Sequence, residues 1–280
     1  MQSFEQAVRE LARTGVCQSV RSHATKPLTE INNLEATVAP NESYAVVTGG
    51  GSGIGRETCL KLRRDGYHIV VADRDLEMAE RVAGDCDGSA LAVDVTDEGS
   101  VVKLFDDAAR VTGKALQILV TAAGIGEMTA FMDLTPEIFR RTYDVNVVGT
   151  FLCIREAAKR MRPGARICTI ASVAGKRGGG LIGTAAYASS KGAVLALTRS
   201  AARSLAGNGI SVNGVVPGPT KTPMYNAGSQ ENRARSEAML PIRRAAEPSE
   251  LAEAIVWLVS PKASFVLGET LVVDGGLTMD

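Results

Sequence analysis

The sequence predicts an α/β fold, a single-domain doubly wound parallel sheet of about seven strands with helices on both faces. Three observations predict it. An apolar run, Tyr44-Ala-Val-Val-Thr, meets five glycines between positions 49 and 55 and then an amphipathic pattern, the order strand, tight turn, helix. Beyond it, nearly all-apolar runs alternate with helical-period segments, as strands buried on both faces of a parallel sheet must. An acid, Asp73, closes the next apolar run, near the ~20-residue spacing at which a carboxylate takes both hydroxyls of a ribose.

Residues 1–42 read as an N-terminal extension preceding a dinucleotide-binding domain at 43–280. Phe4, Ala7, Val8, Leu11, Ala12 and Val16 fall at helical spacing, which predicts one short amphipathic helix. Positions 23–43 are polar and carry Pro27, Asn32, Asn33, Pro40 and Asn41, the composition of a linker. A transit peptide and a surface or subunit-contact appendage are the two readings, and Glu5 and Glu10 among the basic residues count against the first.

The strands then follow from their apolar runs: 44–48, 67–72 (Tyr-His-Ile-Val-Val-Ala), 89–93, 116–121, 165–171 (Ala-Arg-Ile-Cys-Thr-Ile-Ala), 210–216 and 270–273. Between them, helical periodicity marks 53–65, 75–83, 97–112, 135–161, 186–207 and 248–259. Right-handed crossovers leave the doubly wound topology, with ligands at the carboxyl ends of the strands. Two stretches, 175–183 and 219–242, read as irregular insertions bordering that edge, the second interrupted by Pro219, Pro223 and Pro241.

Composition narrows the function classes. The 280 residues carry no net charge, with a pI near 6.8, so nothing argues for nucleic acid or an anionic membrane, and small soluble substrates are expected. Five cysteines, at 17, 59, 86, 153 and 168, are odd in number and lack metal-ligand spacing, the pattern of reduced core residues. With only His23 and His68, neither a histidine triad nor a histidine-rich metal site has material, and no metal is expected. No apolar run of 18 residues and no signal-peptide pattern is visible, which predicts a cytoplasmic protein.

At the glycine turn, Gly49, Gly53 and Gly55 leave no Cβ between backbone and a pyrophosphate, and the N–H groups at the start of the following helix face the phosphates. Downstream, Tyr187 and Lys191 stand four positions apart in a helix-compatible stretch, hence on one helical face. A free phenol has a pKa of about 10, and a neighbouring cation lowers it, which makes the pair an acid/base. Ser172 ends a strand at the same sheet edge, where its hydroxyl can donate to a carbonyl oxygen.

From Tyr44 to the C-terminus the chain resembles a short-chain dehydrogenase/reductase of the classical type. The matching motifs are Thr48-Gly-Gly-Gly-Ser-Gly-Ile-Gly55, Asp94-Val95, Ala122-Ala-Gly124, Asn146, Ser172, Tyr187-x-x-x-Lys191, Pro217-Gly-Pro-Thr-Lys-Thr222 and Val273-Asp-Gly-Gly276. The resemblance implies a Rossmann-like fold and a secondary alcohol/ketone interconversion with a nicotinamide cofactor. It implies Tyr187 as acid/base, and Lys191 lowering its pKa and binding the nicotinamide ribose. Ser172 would orient the substrate oxygen, and Asn146 would hold a water in a proton relay. For the cofactor it implies Thr48, Gly49, Gly51, Ser52, Gly53, Ile54 and Gly55 at the turn, Asp73 and Arg74 at the ribose, and Asp94 and Val95 at the adenine. Ala122, Ala123, Gly124, Tyr187, Lys191, Pro217, Gly218, Thr220 and Thr222 complete the set, the two threonines reaching the carboxamide and diphosphate. Homodimers built on the 135–161 and 186–207 helices, often paired into homotetramers, are implied as well; both helices carry apolar residues beyond what one sheet face covers.

Two departures from the family pattern stand out. Thr121 replaces the usual Asn of the Asn-Ala-Ala-Gly element, and its hydroxyl is expected to bond local backbone. The segment from Ser172 to Tyr187 is about two residues longer than in common members, and its Leu181 and Ile182 are expected to reach the substrate. Asp73 opposes a 2′-phosphate, and Gly50, Gly51 and Ser52 leave no basic residue in the turn, so NAD is expected over NADP, with Arg74 as the one complication. Within 219–242 and just after it, Met224, Tyr225, Met239 and Leu240 mix with Arg233, Arg235, Arg243 and Arg244, readable as a closing lid over an anionic substrate or as a solvated face. A catalytically silent nucleotide-binding scaffold or sensor, and enoyl reduction, are the competing functions; the presence of all four of Asn146, Ser172, Tyr187 and Lys191 disfavours the first.

Overall fold

The computed structural model describes residues 38–179 and 185–279. The expected N-terminal helix and the residues Leu181 and Ile182 lie outside them. Seven parallel strands form one sheet: β1 Ser43–Thr48, β2 His68–Asp73, β3 Ser89–Ala92, β4 Ala115–Thr121, β5 Arg166–Ile170, β6 Ser211–Pro217 and β7 Thr270–Val273, in the order β3-β2-β1-β4-β5-β6-β7. Between β1 and β4 the winding reverses, and a crevice opens there at the carboxyl edge.

Strand alternation distributes the core over two layers. Val46, Leu119 and Ile167 face α3 (Glu98–Thr112), α5 (Gly149–Ala158) and α7 (Ala185–Leu205), packing with Leu104, Phe105, Leu152 and Ala202. Val47, Ile118 and Cys168 face α1 (Gly53–Arg64), α2 (Leu76–Asp85) and α10 (Pro248–Leu258), packing with Leu62, Val82 and Ile255. Cys59, Cys86, Cys153 and Cys168 are buried free thiols. Among the described residues no helix is long and apolar enough to cross a membrane, and no group of three or more His, Cys, Asp or Glu is placed to hold a metal ion.

Three segments differ from the sequence expectation. The helix expected over 135–161 is α4 (Pro136–Tyr143), a π-helical turn at Asp144–Val148, then α5, ending at Ala158. The stretch 175–183, expected irregular, begins inside α6 (Val173–Arg177), which Ser172 caps by accepting Ala174 N and Gly178 ends in the left-handed region at φ 79°. The stretch 219–242 holds α8 (Pro223–Asn226) and α9 (Gln230–Ala238), started by the side chains of Thr222 and Ser229.

Candidate active site

The glycine turn sets the floor of the crevice. A Cβ on Gly49, whose φ is +68°, would stand 2.5 Å from Ala123 N, and one on Gly55 would stand 2.2 Å from the Gly49 carbonyl oxygen. Only glycine permits that approach of β1, α1 and the segment after β4. Asp73, at the end of β2, accepts the Gly51 N–H through Oδ2 at 3.0 Å and the Asp75 N–H through Oδ1 at 3.1 Å. Asp94 accepts both the N–H and the hydroxyl of Thr96 on Oδ1, at 2.9 and 2.7 Å; the hydroxyl first, then the N–H, lowers its carboxyl below the usual range.

A cleft of about 560 Å³ runs from this turn across the sheet edge to α8 and α9. Of the residues expected at the cofactor, Thr48 and Gly51 do not line it: Thr48 is fully buried, and the Gly51 N–H is spent on Asp73. The others do. This glycine floor and carboxylate rim fit a dinucleotide, because the floor excludes side chains where a pyrophosphate must approach and the rim offers a carboxylate to a diol.

Farther along, Ser172, Tyr187 and Lys191 converge on the same cleft. Gly175 of α6 lies against α7 so closely that a Cβ there would meet Gly192 N and the Lys191 carbonyl carbon at 2.6 Å. Lys191 is buried, donates from Nζ to the Ile170 carbonyl at 2.8 Å, and sits 5.9 Å from the centroid of the Tyr187 ring. Burial lowers its ammonium to about 8. The Tyr187 phenol goes the other way: burial raises it, and a hydrogen bond with Ser172 pulls it part of the way back. Desolvation thus outweighs what lowers the phenol, and the Lys191 ammonium is directed to the Ile170 carbonyl.

Asn146 does not line the cleft. It sits in the π-helical turn, fully buried. Its Oδ1 accepts Ile125 N at 2.9 Å, and its Nδ2 donates to the Ile125 carbonyl and the Ser190 hydroxyl, both at 3.0 Å. Its side-chain amide is thus committed to protein groups, and it positions the loop after β4 against α7.

Other expectations also change. Thr121 Oγ1 bonds no local backbone; like Thr48 Oγ1, its partner across the β1–β4 register, it is buried without a hydrogen bond among the described residues. None of Arg233, Arg235, Arg243 and Arg244 lines the cleft. Arg233 donates to the Asn226 and Gly228 carbonyls, Arg243 to the Ala238 carbonyl, and Arg244 pairs with Glu250. Thr220 and Thr222 line the cleft, Thr220 donating to the Gly218 carbonyl and Thr222 accepting Tyr225 N, which leaves the Thr222 hydroxyl proton available. Sequence reasoning missed Glu127, Met128, Arg177 and Leu277, which line the cleft; the place of Glu127 and Met128 soon after β4 was the signal that points to them.

The comparisons with known proteins agree with this geometry. A family model described as Enoyl-(Acyl carrier protein) reductase matches residues 49–278. Cis-4-hydroxycyclohexanecarboxylate dehydrogenase of Sinomonas cyclohexanicum is 40% identical over 244 residues, 85% of this chain and 97% of that protein. Meso-2,3-butanediol dehydrogenase of Serratia marcescens is 34% identical over 242 residues, covering 85% and 95%. A solved short-chain dehydrogenase/reductase (glucose/ribitol dehydrogenase) from Brucella melitensis superposes with a TM-score of 0.80 at 31% identity, covering 86% of this chain and 98% of that one. With the glycine turn, the seven-stranded sheet and these matches together, the chain belongs to the classical short-chain dehydrogenase/reductase family, oxidoreductases that act between CH–OH and C=O with a nicotinamide cofactor, NAD or NADP.

Proposed function

We propose that this protein is an NAD-dependent dehydrogenase/reductase that interconverts a secondary alcohol and a ketone. One observation carries the reading: the hydroxyls of Ser172 and Tyr187 and the buried ammonium of Lys191 meet on one cleft whose other end is the glycine turn. A nicotinamide dinucleotide bound along that cleft supplies or accepts the hydride. Asp73 favours NAD because its carboxylate takes ribose hydroxyls and repels a 2′-phosphate.

Tyr187 holds the proton that the carbonyl oxygen gains in reduction, and receives it from the alcohol in oxidation. Its raised pKa keeps the phenol protonated at neutral pH, the form reduction needs. Ser172 donates to the same substrate oxygen and orients it. Lys191, reaching ribose hydroxyls, supplies the cation that stabilises a phenolate once substrate screens the pair from water. Asn146 serves as a positioning residue through Ile125 and Ser190.

Two relatives are named for secondary alcohols on small carbon skeletons, one of them a six-membered ring. The methionine-rich end of the cleft suits such a body, so small alicyclic alcohols and their ketones are the substrates to assay. The outward side of the helices ahead of the site leaves Val148 and Phe151 over 40% exposed, a face suited to a homodimer or homotetramer. Absorbance of the reduced nicotinamide, followed with NAD and with NADP in both directions, tests the reading. Tyr187→Phe is expected to lose at least ~100-fold in kcat, the scale of general acid–base catalysis. Near-full turnover by that variant would remove Tyr187 from its role; cofactor binding without turnover on any alcohol or ketone would leave a silent nucleotide sensor.

A further inference from the structure

The charged groups on the cleft wall are few, and most have an evident occupation. Asp73, Arg74 and Asp94 stand at the glycine-turn end, and Lys191 is tied to the Ile170 carbonyl. Glu127 folds back on its own loop, its Oε1 accepting Met128 N at 2.7 Å, Thr129 N at 2.5 Å and the Thr129 hydroxyl. Arg177 is the exception. It lines the cleft, is exposed, and has no hydrogen bond or ion pair among the described residues.

Its placement relative to the reacting groups is fixed. Ser172 caps the first turn of α6 and Arg177 is the last residue of that helix, so the two are separated by about 7 Å along its axis. Gly178 closes the helix by donating to the Ala174 carbonyl at 2.9 Å. Gly175, in the middle, is wedged against the backbone of Lys191 and Gly192. Ser172, Tyr187, Lys191 and Arg177 therefore ride on two helices locked at contact distance. Met128, Met224, Met239 and Leu277 make up apolar wall of the same cleft.

We infer that Arg177 is a specificity-determining residue that holds the carboxylate of a small, apolar-bodied hydroxy or keto acid whose reacting carbon lies at Ser172 and Tyr187. This rests on the alcohol/ketone reading of the site and names the substrate class within it. A guanidinium presents two parallel N–H donors to a carboxylate, and the apolar wall offers nothing else to an anion. Arg233, Arg235, Arg243 and Arg244 lie off the cleft wall and do not compete for it.

The test uses the full chain with NAD and two readouts. In the first, kcat/KM is compared for cis-4-hydroxycyclohexanecarboxylate and for 4-methylcyclohexanol, in wild type, Arg177→Met and Arg177→Lys. Wild type is expected to prefer the acid, and Arg177→Met to lower the acid-to-methyl ratio of kcat/KM at least tenfold, mainly through KM. Arg177→Lys is expected to keep part of the preference. In the second, cyclohexanecarboxylate, which has no hydroxyl to oxidise, is titrated calorimetrically into the protein saturated with NAD. Binding to wild type, weakened at least tenfold in Arg177→Met, supports the assignment even if neither alcohol is turned over, in which case the alcohol/ketone reading alone fails. A ratio unchanged by Arg177→Met, or no binding of cyclohexanecarboxylate to wild type, overturns it.

Discussion

The carboxylate of Asp73 accepts the Gly51 N–H at 3.0 Å, joining the end of β2 to the glycine turn that lies beside it. The same Oδ2 would stand 2.9 Å from a Cβ on Gly51, so turn and acid are fitted to each other. Asp73→Asn removes the negative charge that opposes a 2′-phosphate and weakens the acceptor that a ribose diol needs. The NAD-to-NADP ratio of kcat/KM is expected to fall by roughly 10- to 100-fold, the scale of a hydrogen bond to a charged group. Steady-state kinetics with both coenzymes measure it, and an unchanged ratio would place discrimination at Arg74.

Lys191 gives a pH-dependent stability. Burial lowers its ammonium to about 8, against ~10.4 for an exposed lysine. Between those values the unfolded chain binds the additional proton, so this residue's contribution to stability rises with pH across the window. Below about pH 8 both states are charged and the folded one bears the full cost, about 3 kcal/mol. The wild-type minus Lys191→Met difference in urea-unfolding free energy is expected to climb by that order from pH 8 to 10.4. Taking the difference cancels the tyrosines and cysteines whose pKa values burial raises. A flat difference would mean an ordinary lysine.

Glu156 is shifted the same way, so its contribution to stability also rises with pH, but in the acid range, and at neutral pH it stabilises where Lys191 costs. Buried on α5, its Oε1 accepts from Arg155 at 3.0 Å and Lys159 at 2.6 Å, and its Oε2 from Arg160 at 3.1 Å. Burial alone would raise the carboxyl, but the hydrogen bonds from Lys159, Arg160 and Arg155 outweigh it and bring it down to about 2. That stability is present above the unfolded value of ~4.3 and is lost as pH falls toward 2. Glu156→Gln is expected to cost about 3 kcal/mol at pH 7, with the gap to wild type closing across pH 4.3 to 2 in chemical denaturation.

Legibility followed burial and capping. Runs such as Tyr67-His-Ile-Val-Val-Ala announced strands because a parallel sheet hides both faces, and each lies within two residues of its observed strand. The π-helical turn at Asp144–Val148 kept the apolar spacing of its helix and so left no mark on it. A five-residue helix between Ser172 and Gly178 is shorter than any period can show. Arg177 gave no signal either, because a lone arginine among glycines takes its meaning from the cleft that the fold brings to it.

Thr121 tests how far a departure from the family pattern reaches. Thr48 and Thr121 are register partners on β1 and β4, both within 4% of full burial, and neither hydroxyl has a partner among the described residues. Both border a narrow gap with Thr150, too small for a water, whose walls Val95, Ala123 and Val145 are shared with the main cleft. A buried hydroxyl without a partner costs about 1–3 kcal/mol. Thr121→Val keeps the β-branched shape and removes the polar atom, so it is expected to stabilise the protein by about 1 kcal/mol, raising Tm by roughly 2–4 °C. Coenzyme KM should stay within twofold, since Thr121 does not line the cleft. Differential scanning calorimetry decides the matter: a Tm lowered by several degrees would mean that the Thr121 hydroxyl contributes to the β1–β4 edge and is not a net cost.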